Sequence, residues 1–443
     1  VRPPRDQFYF PTGMDISPLP VETDQAFGTP EVPLTDEEAS LFVANANSDL
    51  RYDSGTVQVV DLETVDDVVD QWLDGGRPPD GLDCSVDLLV PYTLVCDERE
   101  FIRRDATIRI GNFATELKVQ RIGNGQERLR LFAAVRGDPS LTWIDYDVAD
   151  ADLSCSTSVG FSACDDEHRL VQLRNDEDFI ALPDQPFGVY VDSKNQYVVL
   201  THFLSGAITL ADSPADGEPI LSDAIANLFA GDPQSGFRAV LGVGGRLPGS
   251  PNNRIYVTSP IEARVQSLVA SRPPGGGLPT LVAAEYFFMS RGVNTSNNGR
   301  GVAFSGDGNS AYILNRSPPM LHIIDTSLDE QGVPRNQFVR GVELCAEASN
   351  LTVSPIRGRD RIFVACFRNG QVWSVDPRGG VVDQIIEVGN GPQSLIASPG
   401  REKLYVANNL ENTIAVVNLA PEVETENRVV LRVGRPQSQG EAP

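Results

Sequence analysis

Few side chains in this sequence can do chemistry, and their spacing narrows the kinds open to it. Three histidines, His168, His202 and His322, lie far apart, which leaves little material for a histidine-rich metal site or a proton relay. Six cysteines fall into local pairs, Cys84 with Cys96, Cys155 with Cys164 and Cys345 with Cys366. None forms a CxxC or CxxCH, so a zinc knuckle, a thioredoxin-type site and covalent haem attachment lack their usual ligands. Even, local pairing reads as three structural disulfides and hence as export from the reducing cytoplasm. Six buried thiols in a cytosolic protein are the other reading. Ser305-Gly306-Asp307-Gly308-Asn309 lacks the spaced acids and final glutamate of an EF-hand and reads as a hairpin turn. Gly123-Asn124-Gly125 and Gly242-Val243-Gly244-Gly245 sit between strands and not ahead of a helix, which speaks against phosphate cradling. The acidic runs Asp165-Asp166-Glu167 and Asp176-Glu177-Asp178 read as solvated loop faces, with a cation site as the alternative, so metal content stays open. No catalytic residue and no cofactor is assigned.

Composition bounds the partners. With 61 acidic against 36 basic residues the formal charge is −25, so a nucleic-acid backbone or an anionic membrane would be repelled. No run approaches the ~18 apolar residues of a membrane span. The chain starts at Val1; either the sequence was cut there or a leader was removed, for instance a lipoprotein signal with its lipidated cysteine just before Val1-Arg2-Pro3-Pro4-Arg5. The 39 glycines and 32 prolines are spread along the chain and punctuate short apolar runs, the pattern of many turns between many strands.

Those strands recur as a unit. Near the C-terminus Gly391–Pro399, Lys403–Asn409, Asn412–Leu419 and Arg428–Gly434 make a four-stranded meander. Asn350–Pro355, Arg361–Cys366, Gly370–Asp376 and Val382–Gly389 repeat it in the same order. Phe10–Pro18, Ser40–Asn47 and Gly55–Leu62 supply an N-terminal copy, and partial copies follow from Glu116, Gly188, Ala239 and Gly301. The expectation is an all-β fold, a seven-bladed β-propeller of four-stranded antiparallel blades with enlarged loops in blades 1 and 2. One propeller domain spans 1–435 and a polar tail 436–443. The segment from Val65 to Gly111 reads as an enlarged fourth strand of blade 1, or as an eighth blade.

Leu404-Tyr405-Val406-Ala407-Asn408-Asn409 with Thr413–Asn418, and Phe42-Val43-Ala44-Asn45 with Thr56–Asp61, resemble the YVTN repeats of surface-layer-type β-propellers. The resemblance implies a fold and not a reaction, because the wider group holds extracellular binding modules, redox subunits and lactonase-like enzymes.

Aligning the copies on Gly13, Glu116, Gly188, Ala239, Gly301, Asn350 and Ser394 puts the residue before each at one mouth of the axial channel. This gives a candidate ligand ring of Thr12, Thr115, Phe187, Arg238, Arg300, Ser349 and Gln393. Its two arginines could hold a carboxylate or phosphate, or pair with neighbouring acids. The two longest spacings, from Gly13 to Glu116 and from Glu116 to Gly188, each contain a cysteine pair, and stapled loops projecting from blades 1 and 2 are expected. The third pair would cross one blade. The reading favoured by these features is an exported, non-enzymatic propeller that binds a protein or a surface polymer, in the periplasm, at the outer membrane or at the cell surface. A periplasmic lactonase-like hydrolase and a docking subunit of a redox or surface assembly are the alternatives.

Overall fold

A computed structural model describes residues 1–17, 40–122, 128–156, 163–174, 179–229, 238–250, 253–289 and 298–436. The glycine run at 123–125, the acidic run at 176–178 and the tail from 437 onward lie outside the described residues.

Seven antiparallel meanders are arranged as the blades of a propeller, and the choice between seven and eight falls to seven. The inner strands, in order, are Pro11–Ile16, Ala114–Arg121, Pro186–Asp192, Val243–Gly245, Gly299–Phe304, Ala348–Ile356 and Pro392–Ser398. Second and third strands such as Lys403–Asn408 and Thr413–Asn418 are buried along their whole length. They are buried on both sides because each blade packs against two neighbours, and the β-branched and aromatic residues there fill the space between. Phe363, Val372 and Ile386 of blade 6 meet Leu395, Val406 and Ala415 of blade 7 in one such layer.

The repeated asparagine has a local reason. Asn45, Asn315 and Asn408 each oppose the residue that opens an inner strand. From there Asn45 Nδ2 donates to Thr56 Oγ1 and Gln58 Oε1, Asn315 Nδ2 to the Pro318 carbonyl, and Asn408 Nδ2 to the Val388 carbonyl. A short amide thus satisfies polar groups that the buried ends of the strands would leave unpaired.

The first insertion differs from the expected long strand. Leu62–Gly75 is a helix, capped by Asp61, whose side chain accepts from Glu63 N and Thr64 N, and ended by Gly76 at φ 60°. Its Val65, Val68, Val69 and Trp72 lie at helical spacing and pack against Tyr405, Val416, Val430 and Leu431 of blade 7. A hairpin follows, Cys84–Val86 with Leu94–Cys96, closed by the Cys84–Cys96 disulfide. Its second strand pairs in parallel with Arg428–Val433, the outer strand of blade 7. Only then does the chain return, as Ile108–Ile110, to complete blade 1.

The stapled loops are anchored on neighbouring blades, and the first carries its tip, Leu88 and Leu89, out into solvent. The second, closed by Cys155–Cys164, lies on the outer strand of blade 1, where Ala163 bridges Arg109 and Cys164 N donates to the Arg109 carbonyl. Cys345–Cys366 joins the chain entering blade 6 to that blade's second strand. Three disulfides belong to an oxidising, extracytoplasmic setting.

At the axis the ring is closed by blade 7 holding blade 1. Asn412 Oδ1 accepts from Phe10 N at 2.7 Å, and Asn409 Nδ2 donates to the Pro11 carbonyl at 3.2 Å. No described helix is long and apolar enough to cross a membrane.

Candidate functional site at the channel mouth

Six of the seven inner strands, all but that of blade 4, begin with a β-bulge. The register slips between Pro11 and Gly13, Ala114 and Glu116, Gly299 and Gly301, Ala348 and Asn350, and Pro392 and Ser394. The extra residue is turned out of the ladder toward the axis. This places Thr12, Thr115, Phe187, Arg300, Ser349 and Gln393 around one cavity of ≈ 230 Å³.

Arg238 does not belong to that lining, which corrects the ring read from the repeats. Leu241 takes its place. The residue after the mouth position touches the next blade: a Cβ at Gly188 would lie 2.5 Å from the Leu241 carbonyl, and one at Gly242 2.7 Å from the Arg300 carbonyl. Gly242, not Ala239, is thus the equivalent residue of blade 4, and the alignment was three residues early. The same shift makes Val243–Gly245 an inner strand where the sequence suggested an inter-strand loop. Arg238 lies outside the mouth and hydrogen-bonds Asn227 Oδ1.

Most polar groups of the ring are already engaged in holding blades together. Thr12 Oγ1 donates to the Ala114 carbonyl at 2.8 Å, Thr115 Oγ1 to the Phe187 carbonyl at 2.7 Å and Ser349 Oγ to the Pro392 carbonyl at 2.9 Å. Each hydroxyl stitches its inner strand to the next one around the axis.

Charged residues that the repeats did not single out complete the cavity. Lys118 lies below the ring and pairs with Glu116 at 3.1 Å. Burial alone would lower the Lys118 pKa, but Glu116 and Asp15 overcome it and raise it. Arg316 ends the second strand of blade 5 and pairs with Glu347 at 3.0 Å. Phe367 holds the corresponding place in blade 6. The positions at the ends of the second strands thus form an upper tier, a signal present in the sequence once the blade register is known.

A second compartment of ≈ 280 Å³ continues along the inner strands, lined among others by Asp15, Lys118, Tyr190 and Phe304. Burial raises the Asp15 pKa, although Lys118 and the amides of Val119 and Ile16 pull it down. Asp15 Oδ2 accepts from Val119 N at 2.8 Å and Oδ1 from Ile16 N at 3.0 Å. Both channel carboxylates nearest the mouth are therefore committed, Glu116 to a lysine and Asp15 to backbone amides.

Arg300 is different. Burial, reinforced by Arg316 and opposed by Glu347, lowers its pKa to about 10, so it remains a cation at neutral pH. No hydrogen bond or ion pair ties it to any described residue, and its Nε is buried without a partner.

With this geometry in view, comparisons with solved structures are informative about the fold. A candidate 6-phosphogluconolactonase from Bacteroides fragilis superposes with a TM-score of 0.56 at 13% identity, covering 90% of this chain and 99% of that one. A similar protein from Bacteroides uniformis gives 0.53 at 14%, covering 87% and 94%. The periplasmic gluconolactonase of Pseudomonas aeruginosa gives 0.50 at 16%, covering 72% and 85%. These likenesses show the fold alone. No family model and no curated protein matches the sequence. The chain is a seven-bladed propeller with lactonase-like structural neighbours.

Proposed function

We propose that this protein is an exported, non-enzymatic interaction module that docks on a partner protein through the stapled hairpin of its first blade. The observation that carries the reading is the hairpin tip. Leu88 and Leu89 are 97% and 91% exposed, and Val86, Val90 and Tyr92 beside them are exposed too. Such a tip is rigid. Asp87 Oδ1 accepts from Leu89 N and Val90 N, Trp72 Nε1 donates to the Tyr92 carbonyl, and the Arg428 guanidinium lies 4.5 Å from the centre of the Tyr92 ring. The disulfide clamps its base.

Apolar side chains held ready in a fixed frame lose little entropy on binding, the usual property of an interface anchor. Asp87 beside the leucines and Glu424, which accepts from Tyr92 Oη at 3.0 Å, give the tip an acidic collar. A partner of matching chemistry has an apolar pocket with a basic rim. This favours a protein over a surface polymer, and it also suits a docking subunit of a larger surface assembly. Disulfides and the fold support a periplasmic or cell-surface location.

The test is saturable binding of labelled protein to isolated envelopes of its source cells. Wild type should bind and Leu88→Asp/Leu89→Asp should lose at least ~10-fold in affinity, with its fold intact because both side chains are in solvent. Equal binding by the two proteins would overturn the reading. The lactonase-like structural neighbours support a hydrolase as the second reading, although the engaged carboxylates of the channel weigh against it. Sustained hydrolysis of an aldonolactone in a pH-stat, lost in Asp15→Asn, would put that reading first.

A further inference from the structure

The geometry points to a binding site for a small monocarboxylate at the channel mouth, held by the guanidinium of Arg300. This goes beyond docking through the hairpin, since the mouth and the tip are built from different elements.

Ion pairing inside the confined mouth singles out one cation. Four ionised side chains line the mouth compartment, Glu116, Lys118, Arg300 and Arg316. Lys118 is neutralised by Glu116, and Arg316 by Glu347 just outside the lining. Asp15 lies in the next compartment with its oxygens on backbone amides. Of the three cations at the mouth, Arg300 alone has no hydrogen bond or ion pair to a described residue, and its Nε is buried without a partner. A half-buried guanidinium without a hydrogen-bonded anion is costly; burial and Arg316 lower its pKa, and Glu347 only partly opposes the shift. An anion at the mouth would remove that cost.

The same pairing selects the class of anion. A single guanidinium with its planar donor fork unengaged matches a carboxylate. A phosphate dianion calls for a second free cation, and the other two are engaged. The rest of the lining sets the size and body of the ligand. Phe187 and Phe367 offer apolar contact, while Gln393 and Asn350 bring amide groups to the edge. A cavity of ≈ 230 Å³ is smaller than the ~300–1,000 Å³ of pockets for drug-sized molecules, so the ligand is a small acid.

Isothermal titration of the purified full chain at neutral pH with propionate, benzoate and D-glucuronate tests this, with benzamide and inorganic phosphate as controls. At least one monocarboxylate should bind wild type, benzamide should not, and Arg300→Gln should weaken binding about tenfold or more. Thermal melting with and without the acid gives a second readout: the acid should raise the midpoint of wild type and leave that of Arg300→Gln unmoved. Failure of every acid to bind up to ~20 mM, undiminished binding by Arg300→Gln, or preference for phosphate would each overturn the proposal. Should Arg300→Gln not fold, the benzoate and benzamide arms on wild type still decide. The hairpin variant Leu88→Asp/Leu89→Asp should keep its carboxylate binding, so the two readings fail separately.

Discussion

The outer edge of blade 7 and the outer edges of blades 5 and 6 occupy the same place in the same meander, yet only the first is covered. In blade 7 the residue just after the outer-strand bulge is Leu431, opposite Val416. Its counterparts are Arg340 opposite Ile323 in blade 5 and Gln384 opposite Ser374 in blade 6. Leu431 is buried against Leu94 and Cys96 of the stapled hairpin, whereas Arg340 and Gln384 are exposed. Blades 5 and 6 guard their edges with charge and polarity, as exposed strands must to avoid pairing with other chains. Blade 7 instead uses its edge to take a strand from blade 1, so that an insertion early in the chain braces the last blade.

The contrast is broken or upheld most sharply at Leu431. Replacing it with the residue that blade 6 carries, Leu431→Gln, should cost about 3–5 kcal/mol, from lost apolar burial plus a buried amide without partners. Urea denaturation measures it. A loss below ~1 kcal/mol would mean that the hairpin is only loosely seated and that the covered edge is not a structural feature.

Acid should separate the two regions as well. His322 on the third strand of blade 5 and His202 in blade 3 are buried, and burial lowers the pKa of each to about 4. A histidine whose folded pKa lies below its unfolded value stabilises nothing at low pH: the unfolded chain takes up the proton first, and stability falls as pH drops from about 6.5 toward 4. Each should cost about 2 kcal/mol at pH 5 relative to pH 7. Glu98, directly after the stapled hairpin, behaves in the opposite way. Burial raises its pKa to about 6, so its folded-state penalty is present above that value and fades as pH falls toward 4.5, a gain of roughly 1 kcal/mol. Hydrogen exchange at pH 5, corrected for intrinsic rates, should show blades 3 and 5 loosened relative to pH 7 and the strand Arg428–Val433 unchanged or better protected. Uniform loosening of all blades would dissolve the distinction.

How much of this was legible follows from which interactions are local. Strand identity and blade number could be read because alternating β-branched residues and the asparagine at Asn45, Asn315 and Asn408 report on contacts within a single meander. The mouth ring was legible in six of its seven positions, because a bulge is fixed by the strand that carries it. Blade 4 was misplaced since its inner strand is short and its marker, Gly242, is dictated by the approach of Arg300 from another blade. The helix at Leu62–Gly75 went unread although Asp61, the spacing of Val65, Val68, Val69 and Trp72, and Gly76 spell it locally; the expectation of a fourth strand masked a helical period. The Lys118–Glu116 pair lies two residues apart on one strand and could have been read, but the pairing of Arg316 with Glu347, and hence the unpaired state of Arg300, depends on distances between blades that no spacing along the chain encodes. One signal of the covered edge was present. Val429, Val430 and Leu431 make an unbroken apolar run in the middle of the blade 7 outer strand, where Gln337–Glu343 and Val381–Glu387 carry Arg340 and Gln384, and an apolar residue at that edge position implies something lying over it.

The converse substitution gives the smallest effect and the cleanest control. Gln384→Leu puts the blade 7 residue on the open edge of blade 6. Its side chain remains in solvent, where an added apolar group neither fills a cavity nor breaks a hydrogen bond, so stability should change by no more than ~0.5 kcal/mol. What should change is solubility: Val381 and Ile385 already stand exposed on that strand, and a third apolar residue extends the strip while removing one of its polar guards. Sedimentation velocity across a concentration series should show self-association in Gln384→Leu and none in wild type, with the folded monomer unaltered. If Gln384→Leu instead stabilises the monomer by more than ~1 kcal/mol, the edge of blade 6 is covered too, and the asymmetry between the two ends of the ring disappears.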